Sequence, residues 1–200
     1  MFFDELKLKL NLEDVVHFSV TILGRNAVGV DVNPNAIAMT KDNLSFECDL
    51  ASTVYVKQGN AMEMRFVKDS KIDFICTHPP YADIIRYSDG IDGDISLLKT
   101  DGFISEMRKV ATESYRVLKK DGYCAVMMGD IRNKGNVVPL GFRVMESFLE
   151  AGFQNKEIII KQQHNCSSTP YWNKQKRDFL LLAHEYIFVF QKLKGEYHKL

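Results

Sequence analysis

The stretch Ile72-Asp73-Phe74-Ile75-Cys76-Thr77-His78-Pro79-Pro80-Tyr81 decides how the chain is read. Its first half is apolar and β-prone, which predicts a strand buried on both faces. Pro79 and Pro80 then stop it, because neither donates a ladder hydrogen bond and each fixes its own φ. The expected product is a stiff turn at the carboxyl end of a central strand, with the ring of Tyr81 held on it. In open α/β sheets that edge is where ligands bind.

Working outward, residues 27–32 read as a strand. Asn33-Pro34 supplies an N-cap and a first helical residue, for a helix reaching about Leu44. Residues 54–57 read as the next strand. Residues 82–100, rich in Asp, Gly and Ser, predict a mobile loop over the ligand edge. Asp101 is placed to cap a helix with apolar Phe103, Ile104, Met107, Val110 and Ala111, ending near Lys119-Lys120-Asp121-Gly122. Residues 123–128 read as a buried strand, 139–151 as a helix stopped by Gly152, and 155–161 and 185–191 as strands around a polar loop at 163–176. Strands alternating with helices indicate a doubly wound, mostly parallel sheet. Ahead of Gly24 the pattern is weaker. Leu6, Leu8 and Leu10 alternate with Lys7 and Lys9, and Asn11 with Asp14 fits a helix start carrying Leu12, Val15, Val16, Ile22 and Leu23.

Two hundred residues suit one domain, residues 1–200, with a sizeable core. The formal net charge is zero, so a nucleic-acid partner must be met by a local basic patch or through another chain. Cys48, Cys76, Cys124 and Cys166 lie far apart without a C-x-x-C pair. They read as reduced thiols of a cytoplasmic protein, with no metal site and no disulfide framework. No run is apolar enough to cross a membrane and no leader peptide is apparent.

The turn His78-Pro79-Pro80-Tyr81 after an apolar strand resembles the Asp/Asn/Ser-Pro-Pro-Tyr motif of the S-adenosylmethionine (SAM)-dependent amino-methyltransferases, the DNA methylases of N-4/N-6 type. The order of the other segments agrees over residues 24–192: Gly29-Val30-Asp31-Val32-Asn33-Pro34, Gly59-Asn60-Ala61, Gly122-Tyr123-Cys124-Ala125-Val126, and His184-Glu185-Tyr186-Ile187-Phe188-Val189-Phe190. The resemblance implies a Rossmann-like α/β fold with helices on both faces and an antiparallel last strand. It implies SAM as cofactor, DNA as substrate, and methylation of adenine N6 or cytosine N4, as in restriction-modification systems.

The same resemblance assigns residues. His78, Pro79, Pro80 and Tyr81 form the catalytic turn, with side-chain and main-chain acceptors for the two amino protons and an aromatic ring for the base. His78 departs from the usual Asp, Asn or Ser. Neutral imidazole accepts a hydrogen bond and imidazolium does not, so this position is predicted to work only when neutral. Asp31 fits the cofactor ribose, Asn60 fits the amino group of its adenine, and the main chain of Val32 and Ala61 fits the adenine ring. Asp130 reads either as a lining of the base pocket or as the cap of a turn. The loop with Gln162, Gln163, His164, Asn165 and Trp172 reads as a phosphate- and base-contacting surface, with a plain solvated loop as the alternative.

One family feature is absent. A first strand followed by Phe-x-Gly-x-Gly normally approaches the methionine end of the cofactor, and no glycine precedes Gly24. The expectation is therefore weak SAM binding by this chain, or a homodimer or partner chain that supplies the loop. RNA amino-methylation ranks second to the DNA reading, and a catalytically silent remnant or binding module third.

Overall fold

The computed structural model describes residues 23–44, 52–163 and 178–193. The segment before Leu23, the residues His164, Asn165 and Trp172, and Cys48 and Cys166 lie outside them. The described residues fall into two compact units.

The first unit holds the described residues up to Ala61, with Ser88–Asp94. Strand β1 (Ala27–Asp31), helix α1 (Pro34–Asn43) and strand β2 (Val54–Gln58) form a parallel β–α–β unit in which Ala27 pairs with Val54 and Asp31 with Gln58. The helix starts as its sequence dictates. The Asn33 side chain accepts the Asn35 N–H at 2.9 Å, and Pro34 occupies the first turn, where its missing N–H costs nothing. Ile37 is the buried anchor of the helix.

The second unit comprises Met62–Tyr87 and the described residues from Ile95 onward. Its larger sheet is made of β3 (Ile72–Thr77), β4 (Leu118–Met128), β7 (Gln154–Gln162) and β8 (His184–Gln191), in the order β3-β4-β8-β7. Strand β4 runs parallel to β3, and β8 runs antiparallel to both of its neighbours. Helices α2 (Thr100–Val117) and α3 (Leu140–Glu150) make the crossovers. Between β4 and α3 sits a hairpin of β5 (Ile131–Asn133) and β6 (Asn136–Val138). Its two turn residues, Lys134 and Gly135, both have positive φ, the geometry that matches strand twist.

The core lies on one face of this sheet. Cys124, Val126 and Met128 of β4 and Phe188 and Phe190 of β8 are buried there with Phe103, Met107, Leu140, Val144 and Phe148 of the helices. Phe148 stacks on Phe190 with centroids 4.9 Å apart. The ion pairs Arg143–Asp101 and Arg108–Glu150 link α3 to α2.

Several expectations are corrected. Strand β3 is not buried on both faces: among the described residues it is the edge of its sheet, and Phe74 is 56% exposed. Phe74, Tyr123 and Ile159 occupy exposed positions of this sheet. Asp101 does not cap α2. The ladder begins with the Phe103 N–H to the Lys99 carbonyl, so Lys99 is the N-cap and Asp101 sits in the first turn, bound to Arg143. Helix α2 ends at Val117 and the chain passes directly into β4, because Lys192 Nζ donates to the carbonyls of Tyr115 (2.6 Å) and Leu118 (2.8 Å) and closes the helix end. Arg116 is tied to Glu113, Asp69 and the carbonyls of Met64 and Val67. The segment 82–100 holds two short 3-10 turns, Ala82–Ile84 and Ile95–Leu97. Buried Ser96 accepts the Tyr87 N–H there at 2.9 Å.

Candidate active site

The proline turn leaves β3 at Thr77, with Pro79 buried and Tyr81 half-buried. Ala82 follows with φ of 47° and no exposed surface, so the chain turns sharply under the tyrosine. The ring of Tyr81 lies against the backbone at the end of β4. A Cβ on Gly129 would be 2.9 Å from Tyr81 Cε1, so only glycine permits that approach.

The Tyr81 hydroxyl donates to Glu185 Oε1 at 2.5 Å. Lys161 Nζ donates to Glu185 Oε2 at 2.7 Å, and the Gln163 side chain bonds the same carboxylate. His78 meets the Tyr81 ring edge-on, with Nε2 3.5 Å from Tyr81 Oη and 3.7 Å from Glu185 Oε1. A carboxylate as buried as Glu185 needs such partners. Burial pushes its pKa up, but the bonds from Lys161, Tyr81 and Gln163 outweigh this and hold it below the usual range. Burial raises the Tyr81 phenol, and Glu185 raises it further, so it stays protonated. His78 is pulled below the ordinary histidine value by burial, against the attraction of Glu185 and together with the repulsion of Lys161. The predicted neutral imidazole is the form this environment favours.

Asp130, expected at the base pocket or at a turn, acts as a remote cap. Its Oδ1 accepts the Gly141 N–H in the first turn of α3 at 3.0 Å, and its Oδ2 accepts the Tyr186 hydroxyl at 3.2 Å.

In the first unit, Asp31 closes β1 and its Oδ1 accepts the Asn33 N–H at 2.7 Å. Burial raises its pKa, that N–H opposes the rise, and nearby Asp94 adds to it. Hydroxyl donors of a ribose suit a carboxylate in that state. Gly93 approaches Asn60 and Val32 so closely that a Cβ would lie 2.7 Å from Asn60 Nδ2. Three of the residues assigned to the cofactor by sequence thus share one end of this unit.

Glu185 and Lys161 are the residues that sequence reading missed, and Gln163 was assigned to nucleic acid instead of to Glu185. The available signal was an acidic residue inside the apolar run 185–190, which must have a partner if buried.

A β–α–β unit whose first strand ends in Asp31, with a sheet whose last strand is antiparallel and whose β3 ends in a Pro-Pro-Tyr turn, belongs to the fold class of the SAM-dependent methyltransferases. Within that class, the chain belongs to the DNA methylase family of N6/N4 type, whose pattern matches residues 72–199. The orphan methyltransferase M.BamHII of Bacillus amyloliquefaciens is 30% identical over 128 residues, 64% of this chain and 41% of that protein. The release factor glutamine methyltransferase of Aquifex aeolicus is 32% identical over 113 residues, 54% of this chain and 38% of that protein. A candidate DNA modification methylase of Thermus thermophilus, solved with S-adenosyl-L-methionine, superposes with a TM-score of 0.50 at 25% identity, covering 71% of this chain and 54% of that one. The chain spans about two fifths to one half of the length of the curated relatives it matches.

Proposed function

We propose that this chain carries the amino-acceptor half of a reaction that methylates adenine N6 or cytosine N4 in DNA. The observation that carries the reading is His78, kept neutral on a proline-stiffened turn at the end of β3, in a segment that matches the DNA methylase family. SAM, when bound, supplies an electrophilic methyl on a sulfonium sulfur. The chain's own task is to make a conjugated amino group nucleophilic. Neutral His78 accepts one amino proton and the main-chain carbonyl at Pro79 accepts the other, which favours the tetrahedral nitrogen of the transition state. The nitrogen lone pair forms the new N–C bond, the C–S electron pair stays on sulfur, and the proton shed by nitrogen leaves toward the His78 lone pair. Tyr81 offers its ring to the base, while Asp31 with Val32 and Asn60 with Ala61 hold the adenosine end of the cofactor. His164, Asn165 and Trp172 are assigned to DNA contact.

The likeness to a glutamine methyltransferase favours one second reading, in which the target nitrogen is a side-chain amide. Methyl-tritiated SAM supplied with DNA duplexes containing only adenine or only cytosine targets, with RNA, and with a glutamine peptide separates them. Label in DNA supports the proposal, and the labelled base names the target. Label in RNA or peptide alone refutes it. SAM binding without transfer to any acceptor would establish a silent binding module.

A further inference from the structure

We propose that Lys161, Glu185 and Tyr81 form a directional hydrogen-bond chain that fixes His78 as its Nε2–H tautomer and leaves Nδ1 as the acceptor for the target amino group. The inference rests on the role given to His78 above and specifies how that role is set.

The direction begins at Glu185. An ionised carboxylate only accepts, and this one is buried and already receives Lys161 at 2.7 Å. The Tyr81 hydroxyl, 2.5 Å from Oε1, must therefore spend its only proton there. A hydroxyl has one proton, so with that proton on Glu185 none points at His78. Nε2 of His78 then faces two acceptors, Tyr81 Oη at 3.5 Å and Glu185 Oε1 at 3.7 Å. A bare lone pair on Nε2 would repel both. In neutral imidazole one nitrogen donates and the other accepts, so a proton on Nε2 puts the lone pair on Nδ1. Glu185 and Lys161 are thus positioning residues: they act through Tyr81 and set which nitrogen of His78 can accept.

The chain predicts its own reversal. In Glu185→Gln the amide oxygen is claimed by the Lys161 ammonium, and the amide NH2 is left to donate to Tyr81 Oη. Tyr81 must then turn its proton to His78 Nε2, which moves the histidine proton to Nδ1. Tyr81→Phe removes the middle link but leaves Nε2 facing the Glu185 carboxylate, so the Nε2–H form persists.

Two-bond proton–nitrogen NMR on the 15N-histidine-labelled full chain reads the tautomer directly, with His78→Asn identifying the signal. The expected result is Nε2–H in the wild type and in Tyr81→Phe, and predominantly Nδ1–H in Glu185→Gln. Nδ1–H in the wild type overturns the proposal, and so does a folded Glu185→Gln protein that keeps Nε2–H. If Glu185→Gln does not fold, the wild-type spectrum alone still decides. The spectrum needs no cofactor or DNA. If Nε2–H holds while His78→Ala leaves methyl transfer unchanged, the chain stands and the catalytic reading of His78 falls.

Discussion

His78 replaces an acidic or amide side chain with one that titrates near neutrality, and this makes its role measurable. Only the neutral ring accepts a hydrogen bond, so methyl transfer is expected to rise with pH as His78 loses its proton. Burial is the largest influence on that proton and lowers the pKa. Glu185 opposes the shift and Lys161 adds to it. The limb should therefore lie below the ordinary histidine value of about 6.5. His78→Asn keeps an acceptor and is expected to retain activity with a flat acid limb. His78→Ala should cost about 10²–10³ in rate, the scale for losing one preorganised transition-state contact. Steady-state rates across the acid range test both, and equal rates for wild type and His78→Ala would reduce His78 to a loop residue. At this scale the sequence identified the turn but not what holds it. Tyr81 and its acceptor Glu185 are 104 positions apart, so no local pattern joins them.

Two glycines at strand β4 have different duties, Gly122 within it and Gly129 just past its last residue. At its start, a Cβ on Gly122 would lie 2.9 Å from the Lys119 carbonyl and 3.0 Å from that of Asp73. These are backbone atoms that cannot step aside, so Gly122→Ala should destabilise by about 1–3 kcal/mol through overpacking while folded molecules keep their rate. At its end, a Cβ on Gly129 meets the Tyr81 ring at 2.9 Å and its hydroxyl at 3.1 Å. Gly129→Ala should therefore push Tyr81 off Glu185 and lower the rate more than the stability. Urea titration beside single-turnover assays separates the two, and identical behaviour of the two variants would refute the assignment. The strands of this sheet were legible because their apolar runs are bounded by turn residues, and α1 because Asn33-Pro34 is a local start signal. The end of α2 was not, since its closing group, Lys192, is 74 positions beyond Leu118. The hairpin after Asp130 was missed because its turn is Lys134-Gly135 and not the Asn-Gly or Asp-Gly pair that usually announces one.

Over the whole chain, 26 basic and 26 acidic side chains balance, so bulk repulsion contributes little at neutral pH and the response to acid should come from particular buried groups. His78 and Glu185 are the leading ones. Both have folded-state pKa values below their ordinary ones, His78 through burial, Glu185 because its hydrogen bonds outweigh burial. Glu113 joins them, lowered first by its bond to Arg116 and also by the Met64 N–H, against the effect of burial. In each case the unfolded chain binds a proton at a pH where the folded one does not, so stability falls as pH falls. The contribution of His78 is complete above about pH 6.5 and is lost as pH drops through its lower folded value. The contributions of Glu185 and Glu113 are complete above about pH 4.3 and are lost below it. Acid unfolding should therefore proceed in two stages, with only the upper one belonging to histidine. Urea midpoints measured from about pH 8 down to about pH 4 should show the upper decline in the wild type, and His78→Asn should remove it while leaving the lower decline in place. A wild-type midpoint that stays level until the carboxylate range would mean that His78 is as well solvated folded as unfolded, and that the neutral, directed imidazole on which the site depends is not held by its surroundings.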